Sequence, residues 1–554
     1  MVAAWHRVRE PVIVLAIALF SGVLSGSQRW AGLDTPDSSF YASLGVFGHQ
    51  VTDRAPDPAY YWTRLGNILP THLLTSGLGI WPGFAVHRML LLTVIVAASY
   101  VALRRFTSIA SAAFLTVMIT LSTVVLSYLG NPYVTETLMA GTSVVIACAL
   151  YNARWAAVGA GIGIGWLTMT HPAGLLMATT VWVVLRIMAR TRIGYLLIAA
   201  GTALVTFALF WLSGRILFPD LNWFDSLISS NAKFVYSNFS SANAVWPRDI
   251  SLIVLFMILI TVAIVWVTHR DSFAAQAAFA ISASSLAFIM VFSPIQGGVP
   301  LESPMYQAML WPPTLIALAL AATHAMPDTG WNWQQVLAGA LAIALVLVAG
   351  RSTLTLSLIF GWALAIAVVS IFLFTSYKGT IGAIAGIAIL LAGAQVLQNS
   401  RGDLGLYYLS PYNWAYNVNP ISDRIHNAMN SQEWLIANTK DSDQILDWVQ
   451  GDWVNGDREL YVVAGMQLWG ENRLTLEPTM TPDDIARLNT VKPTVIAMFG
   501  QSMDGVLAFW KSIPAVNSPT APTCFDFPWT PIPGNPFQVT QGHTCLTRLS
   551  WTSS

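Results

Sequence analysis

Long apolar runs fill the first 397 residues of this 554-residue chain, and they limit its fold more than any other feature. An apolar helix of about 17–25 residues crosses the roughly 30 Å hydrocarbon core of a bilayer and satisfies its own backbone hydrogen bonds there. About thirteen candidate spans are present, near residues 11–27, 86–103, 106–127, 137–152, 155–169, 173–189, 194–213, 250–268, 272–292, 305–323, 334–350, 353–375 and 379–397. The sequence therefore predicts a mainly α-helical, polytopic transmembrane bundle over residues 1–397.

The charge content supports this class and excludes others. Only 10% of the residues are charged, against about 25% in soluble domains, which excludes an ordinary cytosolic enzyme. The 27 Lys and Arg residues balance the 27 Asp and Glu residues, so the chain has no strong field that would attract nucleic acid. We therefore expect membrane lipid, and no nucleic acid, as a partner.

Residues 398–554 have ordinary polarity and predict a separate, small α/β domain. Its helix-like segments are 430–439 and 482–489, its strand-like segments are 444–449, 459–463 and 494–498, and the part past residue 515 is Pro-rich and loop-like. Cys524 and Cys545 of this domain form either a disulfide or two free thiols, whereas Cys148 lies in an apolar run and is interpreted as a small core residue. A disulfide here would contribute about 3 kcal/mol and require an oxidising compartment.

The distribution of basic residues predicts the orientation in the membrane. With the N-terminus in the cytoplasm, the cytoplasmic turns carry Arg7, Arg9, Arg104, Arg105, Arg154, Arg186, Arg190, Arg192, Arg270 and Lys378. The large segments 28–85, 214–249 and 398–554 then face outside, in agreement with a disulfide. The composition suggests a bacterial cytoplasmic membrane. The short runs 155–169 and 173–189 are either two spans or a broken, re-entrant pair.

The first outward segment begins with two carboxylates, Asp34 and Asp37. Pro36 followed by Asp37 and two serines is a good helix start, so one of these aspartates can be only a helix cap. Alternatively, two carboxylates at the rim of a bundle can accept a proton from a hydroxyl group or hold a divalent cation. The pattern does not identify a cofactor, and a divalent cation is one candidate.

Basic residues follow these carboxylates. Arg64 and Arg88 lie near His72 and His87 in sequence, at the predicted outer interface. Guanidinium groups bind phosphate through charge-assisted, often bidentate hydrogen bonds, which suits a lipid-linked phosphate. The alternative is that these side chains reach the interface without a ligand.

Two further polar residues stand at helix starts. Glu136 follows Thr135 at the start of a predicted span, where it is either a substrate contact or part of a helix cap. His171 precedes Pro172 between the two short runs, where it is either a contact to phosphate or acceptor or a satisfied polar group.

These motifs resemble the GT-C superfamily of membrane glycosyltransferases, in particular the branch of protein O-mannosyltransferases and aminoarabinose transferases. The motifs are Pro36-Asp37-x-x-x-Tyr41, Tyr61-x-x-Arg64-x-x-x-x-x-Pro70, and Gly79 ahead of Arg88. The resemblance implies that Asp37 is the catalytic carboxylate, with Asp34 as the alternative, and that Glu136 belongs to a second acidic loop.

The chain departs from the family at two places. Ser38 stands where the family commonly has a second acidic residue, and Met305 stands before Tyr306 where relatives often have a phosphate-binding Arg. A basic residue of the 214–249 segment can replace that Arg; the candidates are Lys233, Arg215 and Arg248.

The resemblance also implies a reaction. A sugar would pass, with inversion, from a polyprenyl-phosphate donor to an acceptor hydroxyl of a glycan, a lipid or a protein. Asp37 would take the proton of that hydroxyl, while Arg64, Arg88 and one basic residue of 214–249 would stabilise the leaving phosphate. A groove facing the bilayer would hold the isoprenoid tail.

Two other classes of protein remain. A transporter or flippase usually has intramembrane charges or matched broken helices, yet the apolar runs are almost free of ionisable residues. An envelope polysaccharide ligase or polymerase usually carries its large polar segment between helices. The repeat Gly161-x-Gly163-x-Gly165 predicts close helix packing in a membrane rather than a dinucleotide site, because no strand precedes it.

Overall fold

The protein is described by a computed structural model, in which the chain divides into two compact units. The described residues are 2–24, 41, 44–45, 63–122, 125, 129, 134–219, 222–228, 250–295, 308–328, 330–351, 380, 382–384, 386–388, 434, 437–440, 443, 445–449, 474–476, 492–500, 519–528 and 541–551. One unit consists of Met1–Trp30 with Ala59–Ala415, and the other of Ala31–Pro58 with Tyr416–Ser554. The first outward segment is thus divided between the two units.

The first unit is built from helices joined by turns in the part that the structure describes. Its α-helices are α1 Val2–Leu24, α2 Leu65–Leu78, α3 Ile80–Arg104, α4 Ile109–Thr120, α5 Val134–Ala149, α6 Arg154–Thr168, α7 Pro172–Met188, α8 Ile193–Leu217, α9 Ile250–Thr268, α10 Phe273–Ile295, α11 Trp311–Ala322 and α12 Trp333–Arg351. Short 3₁₀ helices at Ala308–Leu310 and Thr323–Ala325 flank α11. The mainly α architecture predicted from the apolar runs is confirmed.

Several of these helices suit a membrane. Within the described residues, Pro82–Arg104, Ile193–Leu217 and Phe273–Val291 are long and apolar enough to cross a bilayer, and five shorter apolar helices accompany them. The chain is therefore a multi-pass membrane protein. The predicted runs 353–375 and 379–397 lie largely outside the described residues.

Helix α2 is absent from the predicted spans because its sequence was interpreted as part of the outward segment 28–85. With 14 residues it is too short to span hydrocarbon, and it includes Asn67 and His72. It is nevertheless buried on one face, through Leu65, Ile68 and Leu69. Tertiary packing stabilises this helix, and hydropathy alone does not reveal it.

The two short runs form separate helices, α6 and α7, which are joined by the turn Met169–His171. The glycines of α6 explain how tightly this region packs. A Cβ atom on Gly165 would lie 2.6 Å from the carbonyl oxygen of Ala203 in α8, and one on Gly163 would lie 2.7 Å from Val145 in α5. The predicted role of this glycine repeat in helix packing is confirmed.

We expect Gly165→Ala to lower the free energy of unfolding by about 1–3 kcal/mol, because the added methyl group forces the backbones of α6 and α8 apart. Gly201→Ala is the matched control, since a Cβ atom there meets nothing within 4 Å. That control should be neutral or slightly stabilising, because Ala favours helix over Gly. Thermal unfolding in detergent measures both. Equal effects of the two variants would contradict the packing role.

The second unit contains a five-stranded sheet. Its strands are β1 Ile445–Val449, β2 Leu474–Leu476, β3 Val495–Gly500, β4 Thr523–Pro528 and β5 Gln541–Arg548. Their order is β2-β1-β3-β5-β4, in which β1 pairs in parallel with β2 and β3, and β5 pairs antiparallel with β3 and β4. The predicted strands 444–449 and 494–498 correspond to β1 and β3.

The loop predicted past residue 515 is wrong, because it contains β4 and β5. The prolines in this region are compatible with an edge strand, whose outer N–H groups need no partner. The predicted strand 459–463 and helix 482–489 lie outside the described residues.

The disulfide Cys524–Cys545 is present and joins β4 to β5, where the two residues are direct cross-strand partners. Cys148 is free and buried, as predicted for a small core residue.

Candidate functional site

A group of mostly buried polar residues lies at one end of the helical unit, where the starts of α2, α5 and α7 meet the third turn of α3. We call it the polar cluster; it comprises Arg64, Asn67, Thr71, His87, Arg88, Glu136, Thr137 and His171. All except Arg88 are at most 6% exposed. Buried polar groups are costly in an apolar bundle and often mark functional sites in membrane proteins.

Gly66 positions α2 within this cluster. Its N–H donates to the carbonyl oxygen of Met169 at 2.6 Å, and its own carbonyl oxygen accepts from Nε1 of Trp166 at 2.8 Å. A Cβ atom on Gly66 would collide with Thr170 and would lie 2.9 Å from the carbonyl oxygen of Trp166. Only glycine allows this close approach, which fixes the neighbouring residues of α2 against the turn between α6 and α7.

Hydrogen bonds then connect α2 to α5. Thr137 donates its hydroxyl to Oδ1 of Asn67 at 2.7 Å, and Thr71 donates its hydroxyl to the backbone carbonyl of Asn67 at 2.9 Å. The Thr71 hydroxyl has one proton, so towards Nδ1 of His87, 3.3 Å away, it acts as acceptor. His87 therefore carries its proton on Nδ1.

This Nδ1–H also faces a carboxylate oxygen. The distance between Nδ1 of His87 and Oε1 of Glu136 is 3.7 Å. Glu136 lies in the first turn of α5 and also interacts electrostatically with Arg88. Glu136 thus interacts with a histidine and an arginine, both from the third turn of α3.

His171 lies on the other side of α2. Its Nδ1 accepts a hydrogen bond from the N–H of Ala173 at 3.1 Å and thereby caps α7. Burial, and then the positive charge of Arg64, hold the pKa of His171 well below its usual range. His171 is therefore neutral at physiological pH, with its proton on Nε2.

The electrostatics of the cluster favour an anion. Two guanidinium groups, Arg64 and Arg88, accompany one carboxylate, Glu136. The N-termini of α2, α5 and α7 converge there as well, and helix N-termini carry partial positive charge. The arrangement is suited to a phosphate group.

The structure brings together four of the predicted site residues, namely Arg64, Arg88, Glu136 and His171. His171 makes the hydrogen bond expected of a satisfied polar group, because it caps α7, and it also belongs to the cluster. Asp34, Asp37, Lys233 and Arg248 lie outside the described residues. Among the residues that are described, no group of three or more His, Cys, Asp or Glu could hold a metal ion.

Sequence reasoning missed Asn67, Thr71 and Thr137. Asn67 and Thr71 are four residues apart, which places them on one face of a helix. This spacing was a usable signal, but the segment was interpreted as a loop.

Comparison with known proteins identifies the fold. No family model matches the sequence, and no curated protein matches it. The crystal structure of ArnT from Cupriavidus metallidurans bound to undecaprenyl phosphate has a TM-score of 0.56 and 14% identity over 97% of both chains. The apo form of that ArnT has a TM-score of 0.49 and 13% sequence identity, over 98% of both chains. The apo form of the Archaeoglobus fulgidus oligosaccharyltransferase has a TM-score of 0.38 and 12% sequence identity. The match covers 87% of this chain and 69% of that one.

The likeness to ArnT is a likeness of fold, which extends over nearly the whole of both chains. ArnT is an aminoarabinose transferase of the GT-C superfamily. The fold expected from the short motifs of the first outward segment is therefore confirmed.

We expect Thr137→Val to lower the free energy of unfolding by about 1–3 kcal/mol, because it removes the hydroxyl that donates to the buried Asn67 oxygen. Thr135→Val is the matched control, since the buried Thr135 hydroxyl makes no hydrogen bond among the described residues. That variant should be neutral or stabilising. Thermal unfolding in detergent compares the two, and a control as damaging as Thr137→Val would exclude the proposed connection between α2 and α5.

Proposed function

We propose that this protein is an integral membrane glycosyltransferase that moves a sugar from a polyprenyl-phosphate donor to an acceptor hydroxyl. The observation that carries the proposal is the buried Arg64 and the partly exposed Arg88 near converging helix N-termini, in the fold of a protein crystallised with undecaprenyl phosphate. A phosphate group is the anion that this arrangement suits best.

In the proposed reaction, the acceptor oxygen attacks the anomeric carbon of the sugar and the bond from that carbon to the phosphate oxygen breaks. Attack from the side opposite the phosphate inverts the anomeric configuration. The proton of the acceptor hydroxyl passes to the carboxylate of Asp37, with Asp34 as the alternative base. The polyprenyl phosphate leaves as an anion and needs positive charge rather than an acid.

Arg64 and Arg88 supply that charge in this proposal, together with one basic residue of the 214–249 segment, Lys233 or Arg248. Glu136 and His87 keep Arg88 in place from within the polar cluster. The neutral His171 offers an N–H from Nε2 to a phosphate or acceptor oxygen, because its Nδ1 is engaged in capping α7.

The isoprenoid tail of the donor would lie along apolar helix surfaces such as that of α8, of whose most apolar window only 6% is buried in the protein. We further propose that the N-terminus is cytoplasmic and that transfer occurs on the outer face of a bacterial cytoplasmic membrane. The acceptor is the hydroxyl of a glycan, a lipid or a protein.

Transport is less well supported by the geometry. Substrate sites of secondary transporters usually lie near the middle of the membrane, between discontinuous helices. The polar cluster instead lies at the helix starts, at one end of the unit.

We expect Asp37→Asn to reduce sugar transfer by at least about 100-fold, because it removes the general base. Asp34→Asn serves as the matched variant and should retain most of the activity. The measurement is transfer from a panel of radiolabelled polyprenyl-phosphate sugars in membranes that contain equal amounts of each variant. Normal transfer by both variants would refute the site assignment, whereas strict dependence on a diphosphate-linked oligosaccharide would indicate a ligase.

We expect Arg64→Gln and Arg88→Gln to raise KM for the polyprenyl-phosphate sugar by about tenfold or more and to lower kcat as well, because the guanidinium groups bind phosphate in both the ground state and the transition state. Arg154→Gln, an exposed arginine at the start of α6, is the control. Unchanged kinetics in both cluster variants would show that the donor phosphate binds elsewhere.

A further inference from the structure

A second arginine group lies at the opposite end of the helical unit from the polar cluster. Helix α3 connects the two ends, and Arg104 follows His87 by 17 positions, which correspond to roughly 25 Å of helix. This length approaches the roughly 30 Å thickness of the hydrocarbon core. The two ends therefore lie near opposite surfaces of the membrane. We call Arg104, Arg105 and Arg186 the distal arginines.

The positive charge of Arg104 is paired with a carboxylate and a backbone carbonyl of the protein. Its Nε lies 3.3 Å from Oε1 of Glu10, and its Nη1 donates to the carbonyl oxygen of Thr107 at 3.1 Å. The Arg104 guanidinium is therefore a poor candidate for binding an anionic ligand.

Arg105 is held by aromatic rings instead of a carboxylate. Its guanidinium carbon lies 5.2 Å from the ring centre of Phe106, 5.3 Å from that of Tyr151 and 5.0 Å from that of Phe273. Cation–π contacts of this kind orient a guanidinium without cancelling its charge.

Arg186, in the last turn of α7, is only 6% exposed. Its Nη1 donates to the carbonyl oxygen of Tyr151 at 2.7 Å, whereas its Nε and Nη2 are buried and have no hydrogen-bond partner in the part of the chain that the structure describes. These two nitrogens form one edge of the planar guanidinium, the edge that binds two phosphate oxygens in a bidentate pair. Tyr151 also brings a second cation close, because the guanidinium carbon of Arg105 lies 5.3 Å from the centre of the Tyr151 ring.

The nearby carboxylates do not engage Arg186. Glu10 pairs with Arg104, and Asp271, in the exposed turn before Phe273, has no described contact with Arg186. Leaving a buried charge with unpaired N–H groups is strongly unfavourable. A bound anion would remove this cost.

We propose that Arg186 and Arg105 form a binding site for a phosphate group, distinct from the polar cluster and at the other membrane surface. Arg186 binds two phosphate oxygens through Nε and Nη2, and Arg105 contributes a second positive charge. The phosphate belongs either to the headgroup of an anionic lipid or to a soluble phosphate ion. The site does not depend on the proposed transferase activity.

The test uses the full-length protein in neutral detergent and measures its thermal unfolding. One titration adds short-chain phosphatidic acid, a second adds the matching diacylglycerol, which lacks the phosphate, and a third adds sodium phosphate against sodium chloride at equal ionic strength. We expect phosphatidic acid, sodium phosphate or both to raise the unfolding temperature in a saturable way, and diacylglycerol and chloride to have no such effect. A response to the lipid alone identifies the headgroup as the source, and an equal response to sodium phosphate identifies the soluble ion.

Three variants make the test specific. Arg186→Gln should raise the apparent dissociation constant by at least about tenfold, and Arg186→Lys should also weaken binding because it keeps the charge and loses the two-nitrogen edge. Arg192→Gln removes an exposed positive charge just after α7, and should change the constant by less than about fivefold.

Two results would overturn the proposal. One is a wild-type protein that responds to neither phosphate probe, and the other is an Arg192→Gln variant that loses the response as fully as Arg186→Gln. If Arg186→Gln does not fold, Arg186→Lys decides the matter, since unchanged binding by that variant would also exclude a bidentate site. Sugar transfer is not measured, so these outcomes are separate from those that test the transferase.

Discussion

The packing of Gly66 against the turn between α6 and α7 is the contact on which the polar cluster depends. The N–H of Gly66 donates to the carbonyl oxygen of Met169 in this turn, and the carbonyl oxygen of Gly66 accepts from Nε1 of Trp166 in α6. This close approach leaves no room for a Cβ atom. Because Arg64 and Asn67 flank Gly66, this contact determines where their side chains lie. Without it, a short helix such as α2 would have little to keep its polar residues away from lipid, where each unsatisfied group costs several kcal/mol.

The scarcity of charge makes each arginine of the bundle informative. In a chain with 10% charged residues, a buried guanidinium without a carboxylate is expensive and requires a physical explanation. At one end, Arg64 and Arg88 lie near the positive ends of three helices, and Glu136 is the carboxylate that interacts with Arg88. At the other, Arg186 keeps two nitrogens unpaired. Both ends of the helical unit are thus suited to anions.

Much of the fold and part of the site could be predicted from the sequence. Arg64, Arg88, Glu136 and His171 were identifiable because ionisable residues are rare in an apolar chain, so each one stands out. Thr71 gave no such signal, because a threonine in a helix can bond to the carbonyl four residues earlier, as this one does with Asn67. Strands β4 and β5 were missed because β5 is stabilised by pairing with β3, and β4 by pairing with β5 and by the disulfide between them.

By itself, the sequence determined the class of the protein, which is a helical membrane bundle. This class follows from hydropathy and composition, which do not depend on how the helices are arranged in space. The tertiary structure alone decided which helix starts meet at the polar cluster and which guanidinium edge is left unpaired. Apolar side chains face lipid and protein equally well, so the sequence pattern does not specify which faces of the helices touch.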